Sequence, residues 1–192
     1  MTTNGECVDD CYMTLRILSL TFDRDVSRNF DLIRALYDKD QIDISPPFIE
    51  LISSFDESIG TTDLVELVGL IASAHQPFLV ELANVCRHYD GNEQLLQLVV
   101  VQGSEECQKL AKGLYRDIFP HWQDSKNPPP LLNRLALTIG RFQREDQAES
   151  AVTELRGREY FAVMSQVSIL ESDAKSGGWR IISTLPLGKY SL

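Results

Sequence analysis

Leu95–Leu96–Gln97–Leu98–Val99–Val100–Val101 is the stretch that decides the fold. It is apolar on every side, so periodicity alone does not separate a buried helix from a buried strand. Asn92–Glu93 ahead of it reads as a helix start, and its neighbours carry helical spacing. The run therefore reads as a short central helix.

Working outward, apolar residues recur at three and four along most of the first 157 positions. Toward the N-terminus, Gln76–Pro77 opens a segment with Phe78, Leu82, Val85 and Tyr89 on one stripe. Before it, Thr61–Thr62–Asp63 starts a helix facing inward through Leu64, Leu67, Val68 and Ile71, with Glu66 completing a capping pattern. Ser45–Pro46 reads as cap and first helical position for Phe48, Leu51, Ile52 and Phe55. Val26, Phe30, Ile33 and Tyr37 follow Asp23 or Asp25 as cap, and Cys11, Leu15, Leu18 and Phe22 form the first stripe.

Toward the C-terminus, Gly103–Ser104–Glu105–Glu106 places acids in the first turn of a helix lined by Cys107, Leu110, Leu114 and Ile118. The stretch DSKNPPP at 124–130 is the strongest break in the chain. Pro130 opens a helix with Leu131, Leu135, Ile139 and Phe142. Glu145–Asp146 opens another with Ala148, Ala151, Val152 and Leu155. The last 35 or so residues then change period. Phe161, Val163, Val167 and Ile169 alternate, and so do Trp179, Ile181, Ser183, Leu185 and Leu187, around a polar connection at 171–178. The expectation is a mainly α protein of about nine helices, an antiparallel helical bundle or short helical array with a C-terminal β-hairpin. Two parts are expected: an acidic helical body at 1–124 and a helix–helix–hairpin module at 125–192, whose order fits a winged helix.

Charge follows the same division. The chain has 192 residues and a net charge of −10. Residues 1–125 hold 9 basic and 21 acidic side chains, whereas 126–192 hold 9 and 7. An acidic body repels phosphates within a Debye length, which argues against nucleic acid as a partner of the whole chain. The basic C-terminal third keeps a nucleic-acid alternative, carried by Arg134, Arg141, Arg144, Arg156, Arg158, Lys175, Arg180 and Lys189. Arg134, Arg141 and Arg144 would share one helix face.

Motifs for chemistry are scarce. Neither GxxxxGK[ST] nor GxGxxG nor HExxH occurs, so no cofactor site is expected. Cys7, Cys11, Cys86 and Cys107 match no zinc spacing and read as packed thiols, so no metal is expected either. His75 and His88 fall near expected helix ends, where the dipole favours them without a catalytic task. Residues 1–12 lack the basic and apolar regions of a secretory leader, and no window suits a membrane span, so a cytoplasmic or nuclear protein is expected.

These absences point to a non-enzymatic adaptor or complex subunit that binds other proteins, with a homo-oligomer allowed and no membrane partner. Trp122, Trp179, Arg180 and Tyr190 are the expected partner-binding residues, because Trp, Tyr and Arg dominate interface hot spots. An all-α enzyme with a site scattered along the chain is the second alternative.

Overall fold

Residues 95–101 lie in a strand, not a helix. In a computed structural model the chain is described over residues 14–188, apart from 57–58, 92, 119, 121–128, 130–131, 133 and 174. The elements are β1 (Arg16–Thr21), α1 (Arg24–Tyr37), β2 (Phe48–Phe55), α2 (Thr61–Ser73), β3 (Phe78–Asp90) and β4 (Glu93–Gln102). They continue with α3 (Ser104–Ile118), β5 (Ala136–Phe142), α4 (Glu145–Leu155), β6 (Tyr160–Met164), β7 (Gln166–Asp173) and β8 (Gly178–Pro186).

All eight strands form one antiparallel sheet in the order β6-β3-β4-β5-β2-β1-β7-β8. The expected mainly α bundle is therefore wrong, and with it the winged-helix reading of the C-terminal third. Five expected helices are strands: β1, β2, β3, β4 and β5. Strands from both sides of residue 124 pair in the same sheet.

Four expected helices do form. Asp23 caps α1 by accepting from the Val26 amide at 2.9 Å. In α2, Leu64, Val68 and Ile71 are buried as the stripe predicts, although Gly60 is the N-cap and no side chain closes it. In α3, Cys107, Leu110, Leu114 and Ile118 are buried. In α4, Ala148, Ala151 and Leu155 are buried. The C-terminal hairpin also forms, as β7 and β8, with β6 as a separate strand paired to β3.

One sheet face carries the core. Ile49 and Leu51 on β2, Leu96 and Leu98 on β4, and Leu137 and Ile139 on β5 are essentially without solvent contact. Helices α2 and α3 pack on each other, α3 meets β2 and β4, and α2 meets β7 and β8. Helix α4 covers β3, β4 and β5, and α1 packs on β5. Burying Leu98 or Leu110 completely contributes about 2 kcal/mol each. Side chains alternate across a strand, so the residues between these core positions line the opposite face.

Among the described residues, β2 and β5 meet at a single paired position, Ile49 opposite Leu137. This is the seam between two four-stranded halves. Because Ile49 and Leu137 point into the core, their neighbours Phe48 and Glu50, and Ala136 and Thr138, point the other way, flanking the seam.

Candidate functional site

The open face above the seam is a cavity of about 580 Å³. Its floor is Phe48 and Glu50 from β2, Ala136 and Thr138 from β5, Leu95 and Gln97 from β4, and Ile17 from β1. Arg34 and Asp38 reach it from the end of α1, His88 from β3, and Trp179 from β8. Arg134, just ahead of β5, and Arg141, near its end, complete the wall.

The cations have defined settings. Arg34 is buried, with Nη1 donating to Asp31 Oδ1 at 2.8 Å and Nη2 to the Gln41 carbonyl at 3.0 Å. Arg141 is exposed. Its Nε lies 3.5 Å from Asp38 Oδ2 and its Nη1 3.4 Å from Glu93 Oε2. Arg134 is exposed and donates to the Cys86 sulfur. Among the described residues Arg134 forms no ion pair with a carboxylate. Gln97 Nε2 donates to Thr138 Oγ1 at 3.4 Å, which ties β4 to β5 on the floor.

Two carboxyls in the cavity are set apart from ordinary surface acids. Burial raises Glu50 above the usual carboxylate range, with the Ser53 hydroxyl bond working against the shift. Burial also raises Asp38, opposed by the guanidiniums of Arg141 and Arg34. Burial pushes the Cys86 thiol up, with Arg134 opposing. Glu50 thus retains a proton more readily than a surface glutamate, which suits a group that donates one. Among the described residues no three His, Cys, Asp or Glu side chains gather as a metal site.

The expected site residues separate. Trp179 is partly buried and lines the cavity. Arg180 is exposed and pairs with Glu171 at 2.6 Å, on the same carboxylate that holds the buried Arg16. Trp122 and Tyr190 lie outside the described residues, as do Cys7, Cys11 and His121. Arg134 and Arg141 do come together, on and beside a strand rather than on a helix face, while Arg144 pairs with Asp146 at 2.6 Å outside the cavity. His75 does sit at a helix end, with Nδ1 2.9 Å from the Ile71 carbonyl, but His88 is on β3.

Sequence reasoning missed Glu50, Phe48, Thr138, Arg34 and Asp38. A signal existed for the strand residues: Leu135, Leu137 and Ile139 alternate with Arg134, Ala136 and Thr138. No such signal marks Arg34 or Asp38, which read as the polar face of α1.

Fold and cavity together define an antiparallel-sheet protein with an arginine-lined cleft over a two-lobed seam. The chain belongs to the 2′-5′ RNA ligase superfamily, whose family model matches residues 22–173. Solved structures show the same fold. A phosphoesterase crystal structure is 14% identical, with TM-score 0.63, over 92% of this chain and 99% of that one. Escherichia coli LigT complexed with ATP is 13% identical, with TM-score 0.61, over 92% and 99%. TT0787 of Thermus thermophilus is 13% identical, with TM-score 0.58, over 92% and 99%. No curated protein sequence matches the chain.

Membership in an RNA ligase superfamily overturns the expectation of a non-enzymatic adaptor or complex subunit. That expectation rested on missing motifs, and the site is built from residues that form none. It also removes the argument from net charge against nucleic acid, since the cleft gathers arginines despite the acidic body. Among the described residues no helix is long and apolar enough to cross a membrane.

Proposed function

We propose that the protein is an enzyme acting on a phosphate ester of a nucleotide or RNA end held in the seam cleft. The observation that carries this reading is the convergence of Arg34, Arg134 and Arg141 on one cavity in a chain of net charge −10. Guanidiniums present planar forks of donors that match phosphate oxygens. Phosphoryl transfer asks mainly for positioning and for charge that meets the charge developing on those oxygens.

Hydrolysis also needs two proton movements. Water oxygen bonds to phosphorus as the phosphorus–oxygen bond to the leaving ribose oxygen breaks. The proton of the attacking water goes to an imidazole, here His88, and the leaving oxygen takes a proton from the Glu50 carboxyl. The seam strands themselves bring Phe48, Glu50, Ala136 and Thr138, so His88 on β3 is the imidazole within the described cleft. Escherichia coli LigT, which shares this fold, has been crystallised in complex with ATP, NADP+, phosphate and 3′-AMP, and this supports a nucleotide or phosphate ligand here. The free thiols of Cys86 and Cys107 support a cytoplasmic or nuclear setting.

The test follows cleavage of 2′–5′-linked and 3′–5′-linked oligoribonucleotides by chromatography. The 2′–5′ linkage is expected to be cut, and Glu50→Gln or His88→Ala is expected to slow cleavage by about a hundredfold or more. Nucleotide binding with no turnover of either linkage would overturn the enzymatic reading.

A further inference from the structure

The cleft has two chemically different ends. Its arginines come from α1, from β5 and from the residues just ahead of β5, while Trp179 and Phe48 stand on β8 and β2, in the other half of the sheet. A phosphate alone has no use for the second end. We infer that Trp179 is the surface on which the base of that nucleotide or RNA end stacks, so that Trp179 sets the preference for a nucleoside phosphate over a sugar phosphate. This rests on the phosphate-ester reading above and adds the residue that recognises the base.

Three observations support it. Trp179 lines the cavity and is only partly buried, so it is not consumed in the core. An indole also offers the largest aromatic surface of any side chain, and it stacks on every base. Second, its backbone is fixed. The Trp179 amide donates to the Ile44 carbonyl at 3.0 Å and to Ser45 Oγ at 2.8 Å. The same loop leads through Pro46 into Phe48, so one segment positions both aromatic residues. Third, Gly178 lies so close to Ile44 that a Cβ there would stand 2.1 Å from the Ile44 carbonyl oxygen. That approach is available only to glycine and holds the start of β8 at the mouth of the cleft. A backbone held in place before a ligand arrives leaves only the side-chain torsions to be ordered when a base stacks on the ring.

The chain has two tryptophans, Trp122 and Trp179. The experiment therefore uses the full chain carrying Trp122→Phe, so that indole emission reports Trp179 alone. Adenosine monophosphate and ribose 5-phosphate are titrated separately by fluorescence and by calorimetry. Adenosine monophosphate is expected to quench the emission and to bind on the order of tenfold to a hundredfold more tightly than ribose 5-phosphate. Trp179→Leu is expected to remove that preference while changing ribose 5-phosphate affinity less than twofold, and Trp179→Phe to keep most of it. Thermal melts check that both variants fold. Equal affinity for the two ligands in the Trp122→Phe chain overturns the stacking role and leaves the phosphate reading standing. A Trp179→Leu variant that melts like its parent yet retains the preference also overturns the stacking role. Failure of both ligands to bind overturns both readings.

Discussion

Gly177 and Gly178 are adjacent, yet the fold needs them for unrelated reasons, and that difference can be measured. Gly177 has φ +70 and nothing within 4 Å of an added Cβ. At Gly178 a Cβ would meet the Ile44 carbonyl oxygen at 2.1 Å, its carbon at 2.7 Å and Ile44 Cβ at 2.8 Å. Ordinary contact begins at 3.4 Å, so Gly178→Ala asks the two segments to part by more than 1 Å, and backbone cannot rotate away as a side chain can. Overpacking of this kind costs about 1–3 kcal/mol. Separation also breaks the shared bond from the Trp179 amide to Ile44 and Ser45, worth about 1 kcal/mol. Gly178→Ala is therefore expected to destabilise by about 2–4 kcal/mol, lowering the urea midpoint by roughly 1–2 M. Gly177→Ala bears only the left-handed backbone penalty, about 1 kcal/mol. Urea unfolding followed by circular dichroism compares the two. A Gly178→Ala chain within about 0.5 kcal/mol of wild type, or less perturbed than Gly177→Ala, would refute the argument from close approach.

Two further outcomes follow from the cleft. Arg134→Ala removes an exposed guanidinium, so the melting temperature should stay within a few degrees while phosphate-ester affinity falls about tenfold in calorimetry; unchanged affinity would remove Arg134 from the phosphate end. Burial raises Glu50 above its ordinary carboxylate range, so the folded chain holds that proton longer than the unfolded chain as pH rises, and ionised Glu50 opposes folding at neutral pH. Glu50→Gln should accordingly melt higher than wild type at pH 7, with the advantage gone at pH 4 where both carboxyl states are largely protonated; a lower melting temperature at pH 7 would contradict that electrostatic account.

Helices with one polar face were legible because only one period fits them. The charged residues of α1, α3 and α4 fill the positions between their apolar stripes, and Asp23 supplies a cap. The strands were misread because the residues chosen satisfy two periods at once. Phe48, Leu51, Ile52 and Phe55 fall at helical spacing, but Ile49, which fits no such stripe, is fully buried and pairs with Leu137 across the seam. Leu135, Ile139 and Phe142 likewise fit a helix only if Leu137 is ignored, and Leu137 is 1% exposed. In the run at 95–101 the even positions Leu96, Leu98 and Val100 face the core, while Gln97 faces the cleft. The single glutamine is the mark of a strand with one functional face.

The site was harder to read than the strands, and two irregularities in strand pairing explain why. On β3, Ala83 pairs with Val99 and Cys86 with Gln97, so one extra residue is accommodated near Asn84, whose φ is +52. Without that bulge Cys86 and His88 would alternate onto the helix-covered face; with it they join Gln97 and Leu95 beside the cleft. On β5, Thr138 pairs with Gln97 and Gly140 with Leu96, which makes Ile139 the extra residue and brings Thr138 and Arg141 to one face although they are three apart. Gly140 then does a second thing. A Cβ there would lie 2.8 Å from Tyr37 Cβ, so the missing side chain lets the end of α1 settle directly on β5. That contact sets Asp38 within 3.5 Å of Arg141 and carries Arg34 into the same wall. Strict alternation would thus have scattered His88 and the arginines over both sheet faces. The phosphate end exists because β3 and β5 each break their period once, β3 beside a left-handed Asn84, and because Gly140 lets the end of α1 close on β5.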